Sequence, residues 1–447
     1  MGVKPTAKKG QRIVTQELGF ANDLIDFIHA SPSPYHVIQN IEKLLALKGV
    51  RKLELAERWS LAQRNSYYVT RNGSALIAFA IGNGDVGENG FRLIAAHTDS
   101  PSFKIKPSPE MVVENTYLRL NTEVYGGPIL NTWLDRPLGI AGRVSLQGKD
   151  PFHPEIRLVQ PEKPVLVIPN QSLHMNRQVN EGLELNKQKD MLPLVACVNK
   201  DFEKNGLLAG LLAEELGVEA ARVVDFELFL HEYERGMILG QNDEFISSTK
   251  LDDLAMVHAG LHAFLQTDPV QATNVLVCYD NEEVGSRTKQ GAGSPFLRTL
   301  LERISNALGY DREDFFRAVY RSILLSADMG NGLHPNAVDK HDPVIRPVLN
   351  GGPMIKVAAG QNFTTDSDTA AVYEALCREA GIPVQRFVSR SDLQGGSTIG
   401  PISSSQLDIR SLDVGNPALA MHSIRELCGV LDHWYMRRSF ERFYAAT

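Results

Sequence analysis

The sequence predicts an α/β protein: a central mixed sheet flanked by helices, interrupted over residues 101–237 by a β-rich segment. Three observations predict it. From about residue 245 onward, helical patterns alternate with short apolar runs of buried-strand type, as in a sheet with helices on both faces. Between about 101 and 237 that rhythm stops, and Pro/Gly-punctuated strand-like pieces replace it. The 447 residues also exceed what one hydrophobic core usually serves. A discontinuous domain, residues 15–100 and 238–447, with an inserted one at 101–237, accounts for all three.

The elements follow in chain order. QELGFANDLIDFIHA (16–30) carries apolar residues at helical spacing and stops at SPSP, where the prolines exclude continuation. A second helix over about 35–48 precedes the strand-like runs SYYVT, ALIAFAI and FRLIAAH, the last ending in polar TDS. Within the insertion TYLRLNTEVYGGPIL, IAGRVSLQG and PVLVIP read as strands, and NRQVNEGLELNKQK as a long polar loop. TKLDDLAMVHAGLHAFLQ, FLRTLLERISNAL and AAVYEALCREAG then read as helices, with NVLVCYD, SILLSADM and PVQRFVS as strands between them. Gly82, Gly84 and Gly87 match GxGxxG by letter. An apolar strand follows them where a phosphate-binding helix should begin, so a hairpin turn is expected there.

Composition narrows the function. Forty-six basic against fifty-three acidic residues give a formal charge of −7, with no basic stripe, so nucleic acid is not an expected partner. No run of about 18 apolar residues is present, and the basic segment MGVKPTAKKGQRIV lacks the apolar stretch of a signal peptide. A cytoplasmic protein without a membrane partner is expected. Cys197, Cys278, Cys377 and Cys428 lie far apart without CxxC spacing and are expected to be reduced core hydrophobes, not thiolate ligands.

Polar residues at the ends of buried strands face the ligand crevice in such sheets. LIAAHTDSP delivers His97 and Asp99 two residues apart, so that in an extended chain Asp99 could accept the second ring N–H of a metal-bound His97. KLDDLA places Asp252 and Asp253 ahead of a helix, where N-capping and a metal bridge are both open readings. VLVCYDNEEVGS opens an apolar run onto Asp280, Glu282 and Glu283, carboxylates that repel one another unless cations or protons neutralise them. The adjacent glutamates suit a division of labour, Glu283 as ligand and Glu282 as the base that takes a proton from water. SILLSADMGNGLHPN offers Asp328 and His334, and ALAMHSIRE offers His422. As an ensemble, His97, Asp252, Glu283, Asp328 and His422 supply nitrogen and oxygen ligands without a thiolate. That set suits a pair of divalent cations, zinc first, with manganese or cobalt also accommodated. His231-Glu232 begins like HExxH, but Arg235 stands where the second histidine should, and no GxSxG elbow or P-loop is visible.

In this order, AHTDSP, LDDL, DNEEVGS, SADM…HPN, GSTIGPI and AMHSIRE resemble the aspartyl aminopeptidase family of two-metal exopeptidases, over nearly the whole chain from residue 20. The resemblance implies that Asp252 bridges two metals, that His97 and Asp328 complete one site and Glu283 and His422 the other, and that Glu282 is the general base. It implies release of the N-terminal residue, Asp or Glu by preference, from peptides with a free N-terminus. It implies too that the inserted β-rich domain is a dimerisation domain and that the protein is a homo-oligomer, a dodecamer built from dimers. LHMNR resembles a segment whose histidine, here His174, reaches a neighbouring subunit's active site; His334 resembles a residue near the substrate, and Lys356 one that pairs with an acidic substrate side chain. Asn331, where family members often carry His, and Gln361-Asn362-Phe363, in place of a QRY-like segment, depart from the pattern and bear on acidic specificity. The rival readings are another two-metal amide hydrolase, such as a carboxypeptidase or deacylase, and a non-enzymatic assembly protein.

Overall fold

Three of the apolar runs, Thr273–Tyr279, Phe91–His97 and Ile323–Ala327, lie side by side with Arg410–Gly415, a strand the sequence pattern did not announce, as parallel strands at the centre of a nine-stranded sheet. In the computed structural model, which describes residues 13–182, 184–198, 206–393 and 395–447, every residue of Thr273–Tyr279 and Ile323–Ala327 is buried. The basic N-terminal segment, up to residue 12, lies outside the described residues. Strands buried on both faces favour apolar side chains on both, which is why the first three segments read as near-continuous hydrophobic runs. Alternate residues serve two cores: Leu276 and Cys278 enter one, Val275, Val277 and Tyr279 the other. Helices Thr15–His29, Pro34–Leu47, Leu251–Gln266, Ser367–Glu379 and Val430–Tyr444 cover the first core. Phe296–Ala307, Arg312–Tyr320 and Ile399–Leu407 cover the second. Ala75–Ala80 and Met354–Lys356 pair antiparallel with the central strands, so the sheet is mixed.

The connection at Gly82–Gly87 is not the expected hairpin. Ala75–Ala80 and Phe91–His97 are separated by Thr273–Tyr279, and the chain crosses to the far side of that strand through the single helical turn Val86–Asn89. The strand that intervenes is contributed from almost two hundred residues later, so local pattern could not reveal it. Gly82 is required by this crossing, because a Cβ there would lie 2.2 Å from the Gln271 carbonyl oxygen.

Residues 102–232 form a separate six-stranded antiparallel sheet, in the order Glu155–Val159, Leu138–Leu146, Val223–Glu232, Ser102–Val113, Tyr117–Tyr125, Leu194–Cys197. Its inward residues, among them Phe103, Ile140 and Leu228, pack beneath the helix Leu207–Leu216. That helix is not among the elements expected in the insertion. PVLVIP, expected as a strand, makes only isolated bridges, consistent with the prolines that flank it. Cys278, Cys377 and Cys428 are buried as expected, whereas Cys197 is exposed because it ends an edge strand.

A five-stranded sheet, Met237–Leu239, Phe245–Ser248, Glu426–Gly429, Pro417–Leu419 and Gly330–Asn331, joins the two larger ones. Ile424, just before its third strand, is buried in the core of the six-stranded sheet, and Arg425 Nη2 lies 2.9 Å from Glu232 Oε2. Among the described residues, no helix is long and apolar enough to cross a membrane.

Candidate metal centre

Parallel strands end on a common edge, so the loops leaving them converge. His97 is the last residue of its strand, Asp280 to Glu283 follow Tyr279, and Asp328 follows Ala327. Asp252 enters at the start of Leu251–Gln266, whose backbone is non-helical at Asp252 and Asp253, and His422 enters from the turn after Pro417–Leu419. His97 Nε2 lies 3.5 Å from Asp252 Oδ1, and His422 Nε2 lies 3.5 Å both from Asp252 Oδ2 and from Glu283 Oε1. Asp252 therefore presents one carboxylate oxygen to each imidazole.

Those separations exceed N–H···O hydrogen-bond range. They approach the roughly 3.3 Å expected between two donors bound to one tetrahedral ion at about 2.0–2.1 Å. Asp252 Oδ1 and Glu283 Oε1 are buried without a hydrogen-bond donor, as is Asp253 Oδ1. The donors of Asp252, Glu283 and His422 all lie within 4.8 Å of one another, and so do those of His97, Asp252 and Asp253. Orphaned carboxylate oxygens facing imidazole nitrogens at this spacing fit divalent metal.

The charges agree. Burial lifts Glu282 to about 7 and Glu426 to about 8, and burial together with the charge on Asp252 lifts Asp253 and Glu283 well above the usual carboxylate range. Burial also raises Asp328, although Lys356 opposes it. Burial pushes the His97 ring down, yet Asp253, Asp252, Asp99 and Glu282 hold it well above its ordinary value. Against its own burial, His422 is pushed up to about 10 by Asp252 and Glu283. The cluster holds more acid than can ionise together without added positive charge.

Around these groups the support is specific. His97 Nδ1 bonds the main-chain carbonyl of Asp99 at 3.0 Å, whereas the Asp99 carboxylate is 3.4 Å away. The expected carboxylate–histidine contact is thus mainly a carbonyl–histidine one, because the strand ends at His97 and the chain is no longer extended at Asp99. The Asp99 carboxylate instead accepts the main-chain N–H of Glu282 and of Glu283, both at 3.1 Å, and the Tyr125 hydroxyl at 2.8 Å, fixing the acidic turn. His422 Nδ1 bonds the carbonyl oxygen of Gly127 at 3.1 Å, so the six-stranded unit orients a ring of the cluster. Gly126, at φ +69°, leaves the room this needs: a Cβ would lie 3.1 Å from Glu283 Cβ.

Sequence reasoning missed one carboxylate of the cluster and left the part of another open. Glu426 joins two of the loops, accepting the Asp252 N–H at 2.9 Å and the His422 N–H at 2.8 Å. Its only signal was its place four residues after His422. Asp253, left open as a cap, accepts the His97 N–H at 3.1 Å.

Asp328 stands beside the cluster, its Oδ1 held at 3.0 Å by Lys356 Nζ, which also donates to the Met329 carbonyl at 2.5 Å. Lys356 is 2% exposed and bonded to both of these partners. His334 lies apart from the donor groups and lines a cavity of about 310 Å³ with Asn331, Lys340, His341, Arg390 and Ala420. His174 is exposed in a turn between the exposed apolar residues Leu173 and Met175, and the structure does not bring it to this cluster within one chain. His231 is structural: burial pushes it down to about 3, and its Nδ1 bonds the Glu232 carbonyl.

Comparison with known proteins agrees with this chemistry. The family described as Aminopeptidase I zinc metalloprotease (M18) matches residues 27–444. A "Probable M18 family aminopeptidase 2" of Clostridium novyi (strain NT) is 54% identical over 428 residues, covering 96% of this chain and 99% of the relative. Among solved structures, a chain of the Ape4 and Nbr1 complex superposes with a TM-score of 0.93 at 35% identity, covering 97% of this chain and 87% of that one. The Saccharomyces cerevisiae mApe1 dodecamer gives 0.84 at 29% identity, with 97% of each chain covered. With a zinc-type donor cluster at the strand ends and a family match across nearly its whole length, this chain belongs to the M18 family of zinc metalloproteases, which includes the aspartyl aminopeptidases, and is a metal-dependent aminopeptidase.

Proposed function

We propose that the enzyme holds two divalent cations per subunit and releases the N-terminal residue of peptides with a free N-terminus, with Glu282 as general base. The observation that carries this is the division of Asp252 between His97 and His422. Asp252 would bridge, His97 and Asp328 would complete one position, and Glu283 and His422 the other. Bound there, zinc, or manganese or cobalt in its place, would polarise the scissile carbonyl and make water acidic enough to be deprotonated near neutral pH. Glu282, whose Oε2 lies 4.0 Å from His97 Nε2, would take that proton and return it to the leaving amine. Asp99 holds Glu282 at its post through the main chain.

The preference proposed is for Asp or Glu. Supporting it is the 310 Å³ cavity beside the centre, where Lys340, His334 and His341 line the wall together with Arg390, itself paired with Asp392 at 2.8 Å, and no carboxylate is among the described lining residues. It adjoins the cluster through Asn331, three residues after Asp328, and Ala420, two before His422. Lys356, which the resemblance assigns to the acidic side chain, is committed to Asp328, so we assign it to holding that ligand and give the substrate contact to the cavity cations.

The assembly proposed is a cytoplasmic homo-oligomer, a dodecamer built from dimers joined through the β-rich unit at 101–237, with His174 reaching a neighbouring centre to stabilise the oxyanion. Leu173 and Met175, 57% and 79% exposed beside His174, suit a segment that a second copy covers.

The test is hydrolysis of unblocked Asp- and Leu-peptides beside their N-acetylated forms, by protein stripped of metal and resupplied with zinc, manganese or cobalt. Metal-restored cleavage of the unblocked peptides alone, faster for Asp, is expected. Cleavage of blocked peptides would move the assignment to a carboxypeptidase or deacylase. Lys340→Ala and Arg390→Ala should lower the Asp-to-Leu ratio while sparing Leu turnover, whereas Lys356→Ala should slow both; a ratio that moves only in Lys356→Ala would return the acidic contact to that lysine.

A further inference from the structure

The first core contains a second group of metal-type donors, remote in role from the catalytic cluster. The helix Leu251–Gln266 carries His258 and His262 one turn apart, and this spacing sets both rings on one face. That face meets Asp23 on the helix Thr15–His29. Asp23 Oδ2 lies 3.2 Å from His258 Nε2 and 3.0 Å from His262 Nε2, so two imidazoles of one helix converge on a single carboxylate oxygen of another. We propose that Asp23, His258 and His262 form a second, non-catalytic site for a transition-metal ion, with zinc as the occupant that imidazole and carboxylate donors favour.

Three features of the surroundings support it. The His258 ring is 1% exposed and its orientation is fixed: Nδ1 bonds His433 Nε2 at 3.0 Å, the outer contact that metal-bound histidines use to hold their tautomer. The rings of Phe20 and Phe27 pack on it at 4.8 and 5.6 Å between centroids. Asp23 and His262, by contrast, are 53% and 23% exposed, so an ion has a path from solvent and a remaining position open to water. The nearby Arg437, stacked 4.7 Å from the Phe20 ring centroid, is paired with Glu441, which tempers its repulsion of a cation.

The donor separations of 3.0–3.2 Å also allow a purely hydrogen-bonded arrangement in which each ring donates to Oδ2. An ion would take the Nε2 positions and each ring would keep its one proton on Nδ1, for His258 donated to His433 Nε2, with a small outward adjustment toward the roughly 3.3 Å of a tetrahedral site. The consequence is mechanical. The helix that would be fastened to Thr15–His29 is the one whose first residues include Asp252, so an ion here clamps the element that carries the proposed bridging ligand.

The two arrangements differ in metal content and in how zinc acts on stability. Wild type, His262→Ala and the surface variant Asp23→Asn would be dialysed against micromolar zinc, then assayed for bound zinc per subunit and for melting temperature with zinc or with chelator. The proposal expects one zinc equivalent fewer in either variant, continued peptide hydrolysis, and a smaller zinc-induced rise in melting temperature than in wild type. Equal zinc content in all three proteins, with variants less stable by the same margin in zinc and in chelator, would overturn it and leave a hydrogen-bonded clamp. Counting the difference between proteins, not the total, keeps the outcome independent of how many ions the catalytic cluster holds.

Discussion

Asp252 meets an imidazole with each carboxylate oxygen, and that single side chain ties His97, from a central strand, to His422, from a turn more than three hundred residues away. Glu282 and Glu283 are neighbours with different surroundings. Glu283 Oε1 is 3.5 Å from His422 Nε2, whereas Glu282 Oε2 is 4.0 Å from His97 Nε2 and stays on the rim. Glu282→Gln keeps the shape and removes the proposed base, so kcat should fall by about 10²–10⁴-fold while bound metal is unchanged. Steady-state kinetics beside metal analysis would check this, and wild-type turnover in the variant would remove Glu282 from the chemistry.

At the scale of elements, the centre depends on how closely adjacent strand ends approach. Asp328 donates its N–H to the Val414 carbonyl at 3.0 Å, and its own carbonyl passes so near Gly415 that a Cβ there would lie 1.8 Å from it. The obstacle is backbone, which cannot swing aside. Gly415→Ala should therefore part Ile323–Ala327 from Arg410–Gly415 at the end that carries Asp328, costing about 1–3 kcal/mol of stability as overpacking does and lowering activity. Gly19→Ala, in the helix Thr15–His29 with nothing within 4 Å of the added carbon, serves as the control and should gain up to about 1 kcal/mol. Denaturant melts with activity assays would read both; an unperturbed Gly415→Ala would show that the strands can separate without harm.

At the scale of the whole molecule, the six-stranded unit is joined to the catalytic cluster, not merely appended. Gly127 orients His422, Tyr125 bonds Asp99 and Asn281, and Arg425 pairs with Glu232 across the junction. The same unit carries His174 outward on an exposed turn, so in an oligomer one subunit could complete another's site. Mixing inactive His174→Ala subunits with inactive Glu282→Gln subunits should then restore part of the activity, because some centres would receive an intact histidine and an intact base. Absence of any recovery in mixed, re-associated oligomers would confine His174 to a role within its own subunit.

Much of this was legible in the sequence because its signals are local. The runs at 91–97, 273–279 and 323–327 are largely apolar on both faces since both faces of the sheet are covered, and each breaks into acid or histidine where its strand meets the crevice. The helix periods at 15–29, 34–47 and 251–266 were equally plain. What the pattern could not carry was partnership between distant segments. Nothing near Gly82 announces that Thr273–Tyr279 will lie between its flanking strands, nothing near Glu426 that it will receive two loop N–H groups, and nothing near Lys356 that Asp328 will occupy it. By itself the sequence determined the elements, the candidate ligands and the family they resemble. Only the tertiary structure decided which oxygen faces which nitrogen, because burial and hydrogen-bond geometry arise from residues far apart in the chain.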